Sequence, residues 1–368
     1  MNRSSQSQVR SFASTLIADT SDRFSDFTPY VPSINKQGLV AFQAALRSGG
    51  AGIFTGDGGP ITTIDDMTRG LFRDFYSHPD VNSEGEVSYY ADLKLGGQAI
   101  VRIRDGQVTT VADTNGPFTR IGPLGPTMND GGVVAFRAGM KSGQSGVFTG
   151  GPRGSILTIA DTSGVFGGFQ GLPVVNSHGA VVFRADRKDG GRGIYVGSGG
   201  SLAPIVDTSA VFSDIALFPC INDQGAVVFN ATLKAGGAGI FTAKDGQLAA
   251  VVETNGHFES LRGALISSEG TVVFFATPRG GELGVYAGPD PVGDRIISIG
   301  DPLFGSAVAE FALNSVSLND AGQVALRVRL ANDRQLILRM TATPAWRAQE
   351  QLLRSICLQW PAGGRGAS

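Results

Sequence analysis

The sequence predicts an all-β fold: a seven-bladed β-propeller with four-stranded blades, its N-terminal strand closing the last blade. Three observations carry this. A short phrase, Asn-x-x-Gly followed by an apolar strand, starts at Asn35 and returns at Asn82, Asn129, Asn176, Asn222, Ser267 and Asn319. Its spacings are 47, 47, 47, 46, 45 and 52 residues, a period that marks a repeat architecture. The two ends of the chain complement each other. An Asp-Thr pair that ends the fourth strand of a repeat already occurs at Asp19-Thr20, before the first Asn turn, and the last repeat has no fourth strand. A ring needs that complement and an open solenoid does not.

One repeat shows why four strands fit into about 47 residues. In the third copy, Pro123 to Met128 is a short, mostly apolar run. Asn129-Asp130-Gly131-Gly132 is turn chemistry, because Asn bonds its own backbone and Gly accepts positive φ. Val133 to Ala138 has strand composition. Lys141 to Gln144 is a second turn, Gly146 to Thr149 a third strand, and Ile156 to Asp161 a fourth. Short strands joined by glycine-rich turns describe a propeller blade. The strands are apolar on both faces, as expected when blades cover each other, whereas a half-solvated sheet would alternate.

The linker from Asp161 to about Phe169 is the longest and is expected to cross between blades. The strand after it should then line the central channel. Pro32, Pro79, Pro126, Pro173 and Pro219 each precede the repeat's polar turn residue by three positions. Proline cannot donate to a ladder, so it belongs on an edge strand, and the innermost strand is an edge. In the last copy the strands are expected at Leu313–Leu318, Gln323–Leu330 and Gln335–Met340, with Leu16 to Asp19 as the fourth. The expected organisation is a leader over 1–14, a propeller over 15–340 and a tail over 341–368. In the tail, Trp346, Leu353, Ile356, Cys357 and Trp360 fall at helical spacing, which reads as a short amphipathic helix or a partly ordered segment.

Composition excludes several function classes. Lys plus Arg is 30 and Asp plus Glu is 32, so there is no electrostatic case for nucleic acid or an anionic membrane as partner. No run approaches the length of a membrane span. The two cysteines, Cys220 and Cys357, lie in a repeat and in the tail and imply no disulfide framework. No P-loop, His-Glu-x-x-His, Gly-x-Ser-x-Gly or Cys-x-x-Cys occurs. His78, His178 and His257 stand at three different repeat phases, so no three-His metal site is expected, and no cofactor is.

Residues present in every copy should hold the fold. Three apolar sets recur: one around Phe42 and Phe136, one around Phe54 and Phe148, and one after the Asp-Thr pair at Phe24, Phe72, Phe118, Phe166, Phe212, Phe258 and Phe304. All three read as packing. The acidic ring Asp19, Asp66, Asp113, Asp161, Asp207, Glu253 and Asp301 reads as backbone caps. A basic ring, Arg47, Lys94, Lys141, Lys188, Lys234, Arg279 and Arg329 or Arg334, falls on the same face of the disc. It is expected to pair with the acidic ring or to be plainly solvated; the sharper reading is a basic face for an anionic glycan.

Function should sit where copies differ. The second copy is the most divergent, and its inner strand carries Arg73, Asp74, Tyr76, His78 and Asp80. Ionisable and aromatic groups converging near a channel suit a polar ligand or acid–base chemistry. The expected ligand-binding residues are Arg73, Asp74, Tyr76, His78 and Tyr30; if the protein is an enzyme, His78, Asp80 and Tyr76 are its catalytic candidates. Further channel or crossover candidates are Arg120, Gln170, Asp214, Glu259 and Arg262.

The phrases Asn35-x-x-Gly38-x-x-Ala41-Phe42 and Asn129-x-x-Gly132-x-x-Ala135-Phe136 resemble a bacterial family of tandem-repeat proteins named for an NxxGxxAF motif and a variable choice of C-terminal anchor. The resemblance covers about residues 15–340 and includes a Gly-Ile-Phe-Thr-Gly strand. It implies export and an extracellular or cell-surface setting. The polar first ten residues have no secretory apolar run, and the end has no hydrophobic span with a basic flank. The expected function is a monomeric, non-enzymatic binding module for a carbohydrate or protein partner. The alternative is a hydrolase or lyase acting on a polysaccharide at the channel mouth.

Overall fold

A computed structural model describes residues 11–343 except 152–153, and the side chain of residue 69 is not described. The expected leader up to residue 10 and the expected tail helix therefore lie outside the described residues. Seven antiparallel sheets of four or five strands follow one another around a ring. No helix among the described residues is long and apolar enough to cross a membrane.

Blade 3 shows the pattern: Phe118–Ile121 with Thr127–Met128, then Val134–Met140, Ser145–Gly150 and Ile156–Asp161, each paired antiparallel with the next. The ring closes as the chain ends predict. Phe12–Asp19 pairs antiparallel with Gln335–Ala342, from Phe12 opposite Ala342 to Asp19 opposite Leu336. Blade 7 is thus built from both ends of the described chain.

The inner strand differs from expectation. It begins at the repeat's Phe, so the crossover of blade 3 into blade 4 is only residues 162–165. In blades 1, 2, 3 and 5 the strand is broken in two, for example Phe24–Asp26 and Ser33–Ile34 around the segment that carries Pro29 and Pro32. Proline removes a ladder donor, and the chain leaves the sheet and returns. In blade 7 the inner strand is Ser306–Ala312 rather than Leu313–Leu318, which keeps only a single bridge from Leu318 to Val324. The longer last spacing is absorbed by a small hairpin pairing Pro302 with Ala307 and Leu303 with Ser306. That hairpin lifts Phe304 into solvent (40% exposed), and Val308, opposite Leu330, takes the core place that Phe118 takes opposite Met140.

The cores lie within and between blades. In blade 3, Phe118, Phe136 and Phe148 are buried with centroids 5.1–5.8 Å apart, Phe118 edge-on to the other two. Such contacts add to the area they bury. Blade 7 packs onto blade 1 through Ile17, Ala18, Ala325 and Ile337 against Phe42 and Phe54.

Candidate functional site

Two sets of side-chain bonds tie neighbouring blades; both are missing at the candidate site, and also between blades 6 and 7, where Ser267 and Phe275 carry no side-chain amide or guanidinium donor. The first set comes from the Asn turns. Asn35 Oδ1 accepts from the backbone N–H groups of Gln37 and Leu39, which shapes the turn. Its Nδ2 donates to the carbonyl of Asn82 in the next blade at 2.9 Å. The same link runs from Asn129 to Asn176, Asn176 to Asn222, Asn222 to Ser267, and Asn319 to Asn35, which closes the ring. The Asn is therefore a blade-to-blade tether as well as a turn residue. The second set comes from the residue after the core aromatic. Gln43 donates to the Phe75 carbonyl, Arg137 to Phe169, Arg184 to Ile215 and Asn230 to Leu261, each on the inner strand of the next blade.

Between blades 2 and 3 neither tether forms. Asn82 Nδ2 turns to Glu86 of its own turn at 3.3 Å. The second tether position is Tyr90, 5% exposed, whose hydroxyl has no hydrogen-bond partner among the described residues. Burial raises its pKa, against the pull of the Arg137 charge. Gly122 makes room for this ring: it sits at φ +91, and a Cβ there would lie 2.8 Å from Tyr90 Cε2. The interface is held instead by Asp80 accepting from the Met128 N–H at 2.6 Å, and by Arg102 donating to the Gly132 carbonyl at 2.9 Å.

A pocket of about 360 Å³ opens at this interface, on the face where the Asp-Thr ends lie; we call it the upper face. Its wall includes Tyr30, Tyr76, Tyr90, Gln98, Arg120 and Pro123. Tyr76 is 41% exposed. Desolvation, with the Asp92 and Asp74 carboxylates nearby, pushes its hydroxyl pKa up, so the phenol stays protonated. Tyr30 is raised by burial and by the same Asp74 and Tyr76. Arg73 is ion-paired with Asp92 at the rim. Gln98 accepts from the Ile121 N–H at 3.2 Å, which fixes the pocket's back wall. Protonated phenols, an amide and a guanidinium around an aromatic surface can bind a polar ring compound by stacking and hydrogen bonds.

The structure brings Tyr30, Tyr76 and Arg120 into one pocket, with Arg73 and Asp74 at its edge. It leaves out two predicted residues. His78 is buried with Nε2 unpartnered among the described residues, packed where a Cβ on Gly125 would come within 2.6 Å of its ring. Burial lowers its pKa to about 4 despite a hydrogen bond to the Pro126 backbone. Asp80 is buried in the wall of a different, axial cavity, and burial pushes its pKa up to about 7. The trio His78, Asp80 and Tyr76 is therefore not assembled for catalysis, because Tyr76 faces the upper pocket and Asp80 the opposite end of the channel. Gln170 and Asp214 line another upper-face pocket, whereas Glu259 and Arg262 meet neither, and Arg262 stacks on Phe275 at 5.3 Å. Tyr90 and Gln98 escape sequence reading. Comparing copies at the polar position of Gln43, Arg137 and Arg184 would have flagged Tyr90.

The axial cavity, about 150 Å³, has the Asn turns at its lower mouth. There Lys36 Nζ sits among Asp130, Asp223 and Asp320 at 2.9, 3.6 and 3.7 Å, each supplied by a different blade. Among the described residues, no three His, Cys, Asp or Glu side chains gather as a metal site would need.

Apart from Arg334, the basic ring does not pair with the acidic ring, and most of it is not free either. Lys141, Lys188, Lys234 and Arg279 donate to backbone carbonyls of Asn115, Thr162, Ser209 and Gly256 in the crossover turns. Arg47 does the same to Asp22. Only Arg334 meets its acid, Asp19. The acids are occupied as caps: Asp19, Asp66, Asp113, Asp161 and Asp207 each accept the N–H two residues on. Unsatisfied turn carbonyls outcompete a distant carboxylate for the cation, since the turn residues are already placed next to it.

Comparison with known proteins agrees with the fold. Residues 163–335 match a family described as of unknown function (DUF7453). No curated protein matches the chain. Among solved structures, the chain is similar to an oligogalacturonate lyase in complex with manganese (TM-score 0.58, 10% identity, 92% of this chain and 99% of that one). It is also similar to an oligogalacturonate lyase from Vibrio parahaemolyticus (0.57, 8%, 92% and 98%). A third is a Mycobacterium tuberculosis puromycin-hydrolyzing peptidase (0.55, 14%), where 82% of this chain covers 48% of that one. The chain thus spans about half the length of that peptidase. At such identities the likeness is one of fold, a seven-bladed propeller whose relatives include both lyases and peptidases.

Proposed function

We propose that the protein is a non-enzymatic carbohydrate-binding propeller, with its site in the upper-face pocket between blades 2 and 3. The observation that carries this is the Tyr90 hydroxyl: a buried donor without a partner among the described residues, in a pocket whose mouth is lined by Tyr30 and Tyr76. A buried hydroxyl left unpaired costs about 1–3 kcal/mol, and a sugar hydroxyl would supply the missing acceptor. Tyrosine faces suit the C–H face of a pyranose, and Gln98 and Arg120 suit its hydroxyls. Following the resemblance to an exported repeat family, the ligand is met outside the cell, by a monomer.

The lyase reading draws on the similar oligogalacturonate lyases, but no carboxylate or histidine is among the residues that line this pocket; at its edge Asp92 is tied to Arg73 and Asp74 accepts the Phe75 N–H. Tyr76 and Tyr30 have raised pKa values and hold their protons, and His78 lies outside the pocket. The test is calorimetric titration of wild type and Tyr76→Ala with oligogalacturonates and with neutral cello-, xylo- and manno-oligosaccharides. Tyr76 is exposed, so the variant should keep its melting temperature and bind about tenfold more weakly or worse. Equal binding by both proteins, or binding by neither, would reject the reading. Release of unsaturated, ultraviolet-absorbing product by wild type would favour the lyase instead.

A further inference from the structure

The pocket between blades 2 and 3 has a counterpart two blades further round the ring. In repeat register, Gln170 stands at the position of Tyr76, Arg184 at that of Tyr90, Arg192 at that of Gln98, and Asp214 at that of Arg120. These four, with Asp186 and Leu217, line a second upper-face pocket of about 460 Å³ between blades 4 and 5.

Arg184 is 4% exposed. Its Nε donates to the Ile215 carbonyl at 3.1 Å, and its Nη2 pairs with Asp186 at 3.1 Å. Its Nη1 is buried without a partner among the described residues. A buried guanidinium nitrogen left unpaired is costly, and its residue lines this pocket. The rest of the wall is fixed. Gln170 Nε2 donates to Asp186 at 2.9 Å, and Arg192 Nη1 donates to Asp214 at 2.7 Å. Gly171, at φ +74, packs so tightly on blade 5 that a Cβ would lie 1.5 Å from the Leu217 carbonyl oxygen. The floor at Leu217 is therefore set by backbone contact between the two blades.

We propose that this pocket is a second binding site, for a neutral polyhydroxyl ligand of the pyranose class. The class rests on the reading of the blade 2–3 pocket as a carbohydrate site, but the site itself rests on Arg184. The charges decide against the other ligand types. Of the three cations in the wall, Arg184 and Arg192 are balanced by Asp186 and Asp214, and Arg187 is already paired with Asp189, so an anion would gain Arg184 Nη1 but would sit beside two carboxylates. An apolar ligand would leave Nη1 unpaired. A sugar hydroxyl can accept from Arg184 and donate to a carboxylate at once, while Leu217 offers an apolar patch to its C–H face. The upper face would then hold a glycan at two points, and linked contacts raise avidity without new chemistry.

Backbone amide spectra of the isotope-labelled protein test this, with the methyl pyranosides of glucose, galactose, mannose and xylose as probes. Gly190, Ala216 and Leu217 report the blade 4–5 pocket; Tyr76, Ala91 and Ile121 report the blade 2–3 pocket. At least one probe should move the blade 4–5 amides in a saturable way. The double variant Arg192→Ala/Asp214→Ala changes two exposed residues and leaves the net charge unchanged. It should weaken that response about tenfold or more while leaving the blade 2–3 response intact. Tyr76→Ala should do the reverse. The proposal is overturned if no probe moves the blade 4–5 amides, or if the double variant leaves their response unchanged. Silence at the blade 2–3 amides with a response at blade 4–5 would reject the proposed function and keep this site.

Discussion

Asp80→Asn should make the propeller more stable at pH 8 and not at pH 4. Asp80 is 4% exposed. Its Oδ1 accepts from the Val81 N–H at 2.9 Å and its Oδ2 from the Met128 N–H of blade 3 at 2.6 Å. Burial raises its pKa from 3.8 to about 7, outweighing these two bonds, and the nearby Asp130 carboxylate adds to the rise. The native value lies above the unfolded one, so the folded chain binds this proton more tightly. The stability it contributes is full below the unfolded value and is lost as pH rises through the native value. Each tenfold difference in proton affinity between the folded and unfolded chains is worth about 1.36 kcal/mol, so the full loss is about 4 kcal/mol, of which about 2–3 falls between pH 5 and pH 8.

Asparagine cannot ionise, so it escapes this loss. It can keep a carbonyl oxygen on the Met128 N–H but turns its amide toward Val81, at a cost of about 1 kcal/mol. The variant should therefore exceed wild type by about 2–3 kcal/mol at pH 8, and the advantage should vanish near pH 4 to 5. Urea melts followed by circular dichroism at each pH unit from 4 to 8 measure both curves. Parallel curves would show that Asp80 is ionised in the folded protein throughout, and the reasoning from burial would be wrong.

Three further outcomes follow from the ring. Removing residues 1–21 takes away Phe12–Asp19 and bares the edge of Gln335–Ala342, so the product should aggregate on size-exclusion chromatography; a soluble monomer with unchanged melting temperature would sink the closure. Asn319→Ala removes both the Asn35 link at 2.8 Å and the acceptor for the Gln323 N–H, and should lower stability by about 1–3 kcal/mol in urea melts. Asn319→Ser should recover part of the turn, because Ser267 Oγ already accepts the Thr271 N–H in blade 6, so equal losses in both variants would refute a separate turn contribution. Phe136→Ala, at a fully buried ring with two aromatic neighbours, should cost about 3–5 kcal/mol, and a loss below about 1 kcal/mol would mean that the blade core collapses around the gap.

Much of the fold was legible because its information is local. A turn needs Asn and Gly at adjacent places, a core strand needs apolar residues on both faces, and both repeat visibly. Inner-strand boundaries were less legible. Proline marked the edge, but whether it only borders the strand or splits it depends on the path back to the axis. Phe304 shows the limit of counting positions: the phrase around it matches other copies, yet an inserted hairpin moves it into solvent. The basic ring was misread because Lys141 or Lys188 has two acceptor classes within reach on the same face, and only the folded turn shows which one is nearer.

For the candidate site, the sequence pointed to the divergent second repeat, and Tyr30, Tyr76 and Arg120 do meet there. It could not separate them from His78 and Asp80, two and four residues beyond Tyr76. Along an inner strand that runs from one mouth of the channel to the other, such a step changes the face, the pocket and the neighbouring blade. The count of blades, the turn residues and the closing strand are properties of each repeat and its spacing, so the amino-acid order determines them alone. Which polar groups are left without partners, at Tyr90 and at Arg184, depends on atoms contributed by the next blade. The tertiary structure decided that, because satisfaction of a buried donor is settled between blades and not within one.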